Sequence, residues 1–197
     1  MSARLAKKIP EVAYAMHPDN EPLPAIGAAH GGGYIGAIMP WTNDLGAIAI
    51  VSAAAEGDFG SMEWDPKYKA APGATSFTDG LANSISIDDD NHPAAQKCRA
   101  LRIGGYEDWH LLSMAHQIGV MANCCPIWTQ LEAFRRGGRA AYQETAYWSS
   151  TQSQFDSGLA WHQYFGLGYS NTWNKAHDLR VRAGRLILFK IKQFPAA

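Results

Sequence analysis

The sequence predicts an α+β domain, with helices in the middle of the chain and antiparallel strands at its end. Three observations carry this expectation. Residues 90–138 hold helix start and stop signals at helical spacing, residues 160–165 and 180–189 alternate with period two, and the composition suits short elements joined by long loops. Only 18% of the 197 residues are charged, against about 25% in an average soluble domain. In their place stand 19 Gly, 10 Pro and seven Trp. Apolar types reach 47%, enough for a real core, and the length suits one domain with an extension.

Taken in order, residues 1–24 lack apolar periodicity and contain Pro10, Pro18, Pro22 and Pro24, so they read as an extended arm preceding a domain over 25–197. The glycine-rich stretch 28–37 has neither the GK[ST] nor the GxGxxG spacing of a phosphate loop and reads as a strand flanked by tight turns. Ala47 to Ala53 is apolar enough for a buried strand, and 56–80 reads as a long loop. Asp90 or Asn91 before Pro93 opens a helix to about Leu101, with Ala94, Cys98 and Leu101 on one face and Gly104-Gly105 beyond it. Ser113 caps a second helix with Met114, Ile118 and Met121 on its buried stripe. Thr129 and Glu132 have capping-box spacing for a third, ending at Gly137-Gly138. Strands follow from Tyr147. In Ala160 to Phe165, Trp161, Gln163 and Phe165 share one face, expected inward, and His162 and Tyr164 the other, expected outward. Arg180 to Phe189 forms one or two terminal strands with Val181, Ala183, Ile187 and Phe189 on one parity.

The residues argue against several chemistries. Ser149 in YWSST has no GxSxG elbow around it and reads as a hydroxyl serving backbone groups beside a buried Trp148. The run DDDNH (88–92) lacks the glycine and the distant glutamate of a calcium loop. His92, His110 and His116 with Cys98, Cys124 and Cys125 show no zinc-ligand spacing. Adjacent Cys124 and Cys125 make a poor disulfide pair. No metal and no cofactor is expected, and no segment has the form of a signal peptide or membrane span, so synthesis in a reducing cytoplasm is expected.

Charge is split along the chain. Residues 1–90 carry 12 acidic against 5 basic residues and 91–197 carry 6 against 12, so the halves are −7 and +6. Because the basic residues are spaced along apolar strands and form no run, packing of one half on the other is favoured over a nucleic-acid partner.

Three segments carry a resemblance: GGYEDWHLLS (104–113), YWSSTQ (147–152) and AWHQYF…NK…RVRAGR (160–185). With TDGLANS (78–84) and AAQKCRALRIGG (94–105), they resemble the C-terminal domain family of the Legionella collagen-like protein, frequent in phage and prophage tail proteins. One departure is that Leu112 and His116 stand where that family usually has a proline and acidic helix residues. The resemblance implies a C-type-lectin-like fold with short antiparallel strands, two to three helices and long loops.

The last segment is also similar to variable proteins of diversity-generating retroelements, such as the phage major tropism determinant, in which a fixed skeleton alternates with varied positions. Skeleton residues match at Ala160, Trp161, Gln163, Phe165, Gly168, Asn171, Lys175, Arg180, Val181, Arg182, Ala183 and Arg185, with Gly184 where valine is usual. By that resemblance His162, Tyr164, Leu167, Tyr169, Ser170, Thr172, Trp173, Ala176, His177, Asp178 and Leu179 are the ligand-contacting positions, and Trp109, Trp148, Trp161, Gln163, Phe165, Arg180 and Arg182 belong to the core. Outward Tyr, His and Trp suit recognition, because they give large contact area at small entropy cost.

The implied role is a non-enzymatic receptor-binding or adhesion protein of a phage tail. Its partners would be a host cell-surface protein or polysaccharide, other virion proteins through the arm, and further copies of itself, a trimer by analogy. No nucleic acid and no membrane insertion are expected. The alternatives are a structural virion subunit without its own receptor and a relative of the formylglycine-generating oxidases. The oxidases use a late cysteine pair, and this chain has no Cys after Cys125. Calcium-dependent sugar binding has only Trp41, Thr42, Asn43 and Asp44 to offer, too early in the chain for that motif.

Overall fold

The computed structural model describes residues 15–16, 24–41 and 46–190. The arm predicted over 1–24 lies outside the described residues except for Ala15–Met16 and Pro24, and the Thr42–Asp44 stretch lies outside them too. The strands are β1 (Ala15–Met16), β2 (Ala29–His30), β3 (Gly33–Trp41), β4 (Gly46–Ser52), β5 (Asp58–Met62), β6 (His110–Leu111), β7 (Ala146–Gln152), β8 (Leu159–Tyr164), β9 (Ser170–Asn174) and β10 (Leu179–Lys190). The helices are α1 (Gly80–Ser86), α2 (Pro93–Arg99) and α3 (Met114–Cys124). The result is a mixed α/β domain around one large sheet of order β2-β3-β4-β10-β7-β8-β9, in which β1, β5 and β6 also pair with β10.

β10 is the axis of the molecule because its two faces serve two cores. Val181, Ala183, Ile187 and Phe189 enter a cluster with Trp64, Trp109, Trp148 and the α2 residues Ala94, Ala95 and Cys98. Leu186, of opposite parity, enters a second cluster with Val120 and Cys124 of α3, Phe134, Tyr142, Tyr147 and Phe165. A strand covered on both faces needs apolar or satisfied side chains at every position. The same holds for β7, where Tyr147 and Trp148 point to opposite clusters and all seven residues are buried.

Most expected elements stand where the pattern put them. Residues 28–37, read as one strand flanked by tight turns, instead turn back on themselves as the β2–β3 hairpin, in which Ala29 pairs with Tyr34 and His30 with Gly33. The two-residue turn uses Gly31 (φ 60°) and Gly32 (φ 82°), as a left-handed hairpin turn requires. The terminal segment is one twelve-residue strand. Gly184, in the position where the resemblance expects valine, lies opposite both Ser52 and His110, and a Cβ there would come within 2.6–2.8 Å of the Leu112 side chain. Leu112 thus fills the space that a valine would take.

Other expectations are corrected. The third helix does not form. Thr129 Oγ1 accepts from the Leu131 N–H, not from residue 132, and the chain runs through turns to Ala141. At their start the Thr129 hydroxyl closes a turn instead of a helix cap, and at their end Arg182 donates to the Ala140 and Ala141 carbonyls at 2.7 and 3.1 Å. On α3 the buried residues are Met114, His116, Gln117, Val120 and Cys124, and Ile118 is exposed, because the buried stripe runs through 117, 120 and 124 and passes beside it. Within the stretch expected to be loop stands strand β5, paired with β10, and α1 begins at its last residue, Gly80; Asp79 caps α1, accepting from the Ala82 N–H at 2.8 Å. The strands are not all antiparallel, since β1 and β7 run parallel to β10.

Candidate functional site

The β8–β9 ladder sets the site's geometry. Opposed pairs are Ala160 and Trp173, Trp161 and Thr172, His162 and Asn171, Gln163 and Ser170. Directly opposed residues share a face. Hence His162, Tyr164, Asn171 and Trp173 lie on one face, and Trp161, Gln163, Ser170 and Thr172 on the other. The parity read from the sequence holds, yet the expected ligand-contacting set divides between two faces.

On the first face the rings form a chain of contacts. Tyr164 stacks on Tyr169 at 5.2 Å, His162 meets Tyr169 and Trp173 edge-on at 6.3 and 6.0 Å, and Trp173 meets His177 at 5.5 Å. Trp173 and Tyr169 are 44% and 42% exposed, and Leu167 in the adjoining turn is 71% exposed. His162 is corrected from a contact residue to a floor. It is 2% exposed, enclosed by those rings and by Trp148 at 6.3 Å, and burial holds its imidazole neutral with a pKa lowered to about 4.

Two close approaches shape the turn between β8 and β9. A Cβ on Gly166 would strike the Tyr164 ring at 2.5 Å and the Glu144 carbonyl at 2.6 Å. Gly168 has φ 74°, and its space faces Trp128, an exposed tryptophan to which no sequence pattern assigns a role. Its indole donates to the Ala122 carbonyl at 3.3 Å, so the ring lies between the end of α3 and the turn and extends the apolar surface beyond Leu167. The one local signal for it is a tryptophan shortly after Pro126, where a helix has ended.

The remaining expected positions fall elsewhere. Ser170 Oγ donates to Gln163 Oε1 at 2.7 Å, and half-buried Thr172 lies opposite Trp161, whose ring meets Phe77 edge-on at 5.7 Å. Leu179 packs against the first core cluster and is corrected from contact residue to core. Exposed His177 and Asp178 and half-buried Ala176 form the turn into β10. Among the expected core residues, Trp109, Trp148, Gln163, Phe165 and Arg182 are buried, whereas Trp161 and Arg180 are only half-buried.

No family model matches this chain, and no curated protein matches it.

The framework also holds buried polar side chains, most of whose atoms are paired, although His162 Nδ1, Arg180 Nε and Arg182 Nε have no hydrogen-bond partner among the described residues. Asp58 accepts from Arg180 at 2.7 Å and from the Tyr147 hydroxyl at 2.9 Å, and pairs with Arg182 at 3.2 Å. Part of the charge split thereby closes within the domain. Lys175 is wholly buried, donates to the Lys69 carbonyl and Gln152 Oε1 at 2.7 Å each, and sits 4.3 Å from the Trp64 ring; burial lowers its pKa to about 8. Neither Asp58 nor Trp64 carries a sequence motif, so neither role is visible before folding.

The discounted chemistries also take definite places. Ser149 Oγ donates to the Trp161 carbonyl at 2.8 Å. Asp89 accepts from the Asn91 N–H and contacts His92 Nδ1, and Asp90 accepts from Gln96, so these carboxylates serve the entry to α2. The three cysteines are free and buried, and among the described residues no group of three or more His, Cys, Asp and Glu is placed to hold a metal ion. No helix among the described residues is long and apolar enough to cross a membrane.

Proposed function

We propose that the chain is a receptor-binding or adhesion protein of a phage particle, with a C-type-lectin-like scaffold that displays the ring stripe of β8, β9 and their turn to a host surface. One observation carries the reading: Tyr164 stacks on Tyr169, and Tyr169 and Trp173 both meet the buried His162, so the three rings form one stripe at the end of a sheet whose inner strand β7 is buried throughout. Partly exposed Tyr and Trp on a rigid backbone provide large, amphipathic contact area with little entropy to lose on binding. The skeleton motifs support the same reading, since the positions between them include this stripe. Affinity at one site is modest in this scheme, and several copies on one particle raise it by avidity. The arm over 1–24 attaches the domain to other tail proteins, in a homo-oligomer, and no catalysis is required.

Replacing Tyr164, Tyr169 and Trp173 together by Ala should abolish binding to host cells or extracted surface polymer, with the melting transition still cooperative. Because Trp173 covers His162, a second variant, Leu167→Asp, places a charge in the surface without removing any covering ring, and it should weaken binding with the melting temperature unchanged. Undiminished binding by both variants would sink the proposal.

A further inference from the structure

A second surface, apart from the ring stripe, gathers cations. Between Tyr34 of β3 and the turns at 132–139 lies a cleft of about 450 Å³, lined by Arg135, Arg136 and Arg139 together with Glu132. Arg136 is paired with Glu144. Arg135 and Arg139 are exposed, and among the described residues neither guanidinium has an acidic or hydrogen-bonding partner; the Tyr34 hydroxyl has none either. The arginines stand on a held backbone. The Arg135 N–H donates to the Leu131 carbonyl at 2.8 Å, the Gly138 N–H to the Arg135 carbonyl at 2.7 Å, and the Ala140 N–H to the Ala133 carbonyl at 2.8 Å. Buried Arg182 clamps the following carbonyls from below.

We propose that this cleft binds an oxyanion, a carboxylate or phosphate group on a small polar molecule, through Arg135 and Arg139 with the Tyr34 hydroxyl as a further donor. A guanidinium offers two parallel N–H groups that match the oxygen spacing of both groups, and a concave site concentrates the field of its charges. Glu132 on the same wall and the Arg136–Glu144 pair leave an excess of one positive charge, which suits a single anionic group and not a polyanion. The volume falls within the range of small-molecule sites and admits a ligand the size of a sugar acid. This site stands independently of the role of the ring stripe.

The test is a titration of the full chain at low ionic strength with inorganic phosphate, glucuronate and glucose, read by amide and arginine side-chain NMR shifts around residues 132–139. The expected result is saturable shifts with phosphate, glucuronate or both, and none with glucose. Response to phosphate alone assigns a phosphorylated ligand, and response to glucuronate alone a carboxylated saccharide. The Arg135→Gln, Arg139→Gln double variant should bind at least about tenfold more weakly, while Arg102→Gln, an exposed arginine elsewhere, should bind as the parent does. Arg139→Lys keeps the charge, loses the two-pronged geometry and provides a milder variant should the double one unfold. No saturable shift, equal shifts with glucose, or full binding by both the double variant and Arg139→Lys would overturn the proposal.

Discussion

β7 and β9 flank the same strand, β8, and are built from the same kinds of residue, AYWSSTQ and SNTWN, yet their environments are opposite. Every residue of β7 is buried, while β9 alternates half-buried and exposed. Trp148 on β7 donates its indole N–H to the Met62 carbonyl inside the first core, whereas Trp173 on β9 lies over His162 with nearly half its surface open. Local composition therefore does not decide whether a Trp, Ser or Thr strand is framework or surface. Position in the sheet decides it, because an inner strand is covered on both faces and the last strand of the order is not.

The largest break in this contrast should come from the inner side. Asp58→Ala removes the carboxylate that joins Arg180, Arg182 and Tyr147 and leaves the buried Arg182 without its counter-charge. A loss of about 3–5 kcal/mol is expected in urea unfolding. Gly184→Val should cost about 1–3 kcal/mol by overpacking Leu112, and Leu112→Ala in the same chain should recover part of it. If Gly184→Val alone is neutral, Leu112 is not what excludes the side chain.

Acid sharpens the comparison next. Burial lowers the pKa of His110 and His162 to about 4 and that of His116, with the nearby His110 adding to it, to about 3. An unfolded histidine titrates near 6.5. Below that pH the unfolded chain takes up protons that the folded one refuses, so stability is full above about pH 6.5 and falls as pH drops toward 4. Urea midpoints measured from pH 7 to pH 4.5 should show this slope. His162→Phe should flatten it, and an unchanged slope would mean that the ring stripe does not seal His162 from water. The smallest effects belong to the outer side: Trp173→Ala should cost about 1 kcal/mol through the His162 contact, and Leu167→Ala within about 0.5 kcal/mol. A loss near 3 kcal/mol at either site would place it in the framework.

Much of the fold is readable locally. The strands at 47–53, 147–152, 160–165 and 180–189 and helices α2 and α3 follow from alternation and helical spacing. The expected caps do not: His92 precedes α2, and Ser113 stands before α3 without a side-chain bond to it. The misses have different causes, and none of them is set by spacing alone. Thr129 and Glu132 have capping-box spacing, but Thr129 Oγ1 accepts from the Leu131 N–H and closes a turn instead. Ile118 has helical spacing but faces out. At the ring stripe the period-two rule places Tyr164 and His162 on one face correctly and does not say that other rings close over His162.

The sequence by itself determined which side chains share a strand face, where the chain turns, and that the hydroxyls, carboxylates and thiols are not spaced for the familiar catalytic or metal-binding motifs. Those properties depend on neighbours a few residues apart, which backbone geometry relates by fixed periods. Only the tertiary structure decided which face is covered, that Asp58 unites two arginines more than a hundred residues away, and that Arg135 and Arg139 come to face Tyr34 across a cleft. Burial and ion pairing depend on what arrives from far along the chain, and no local period encodes that arrival.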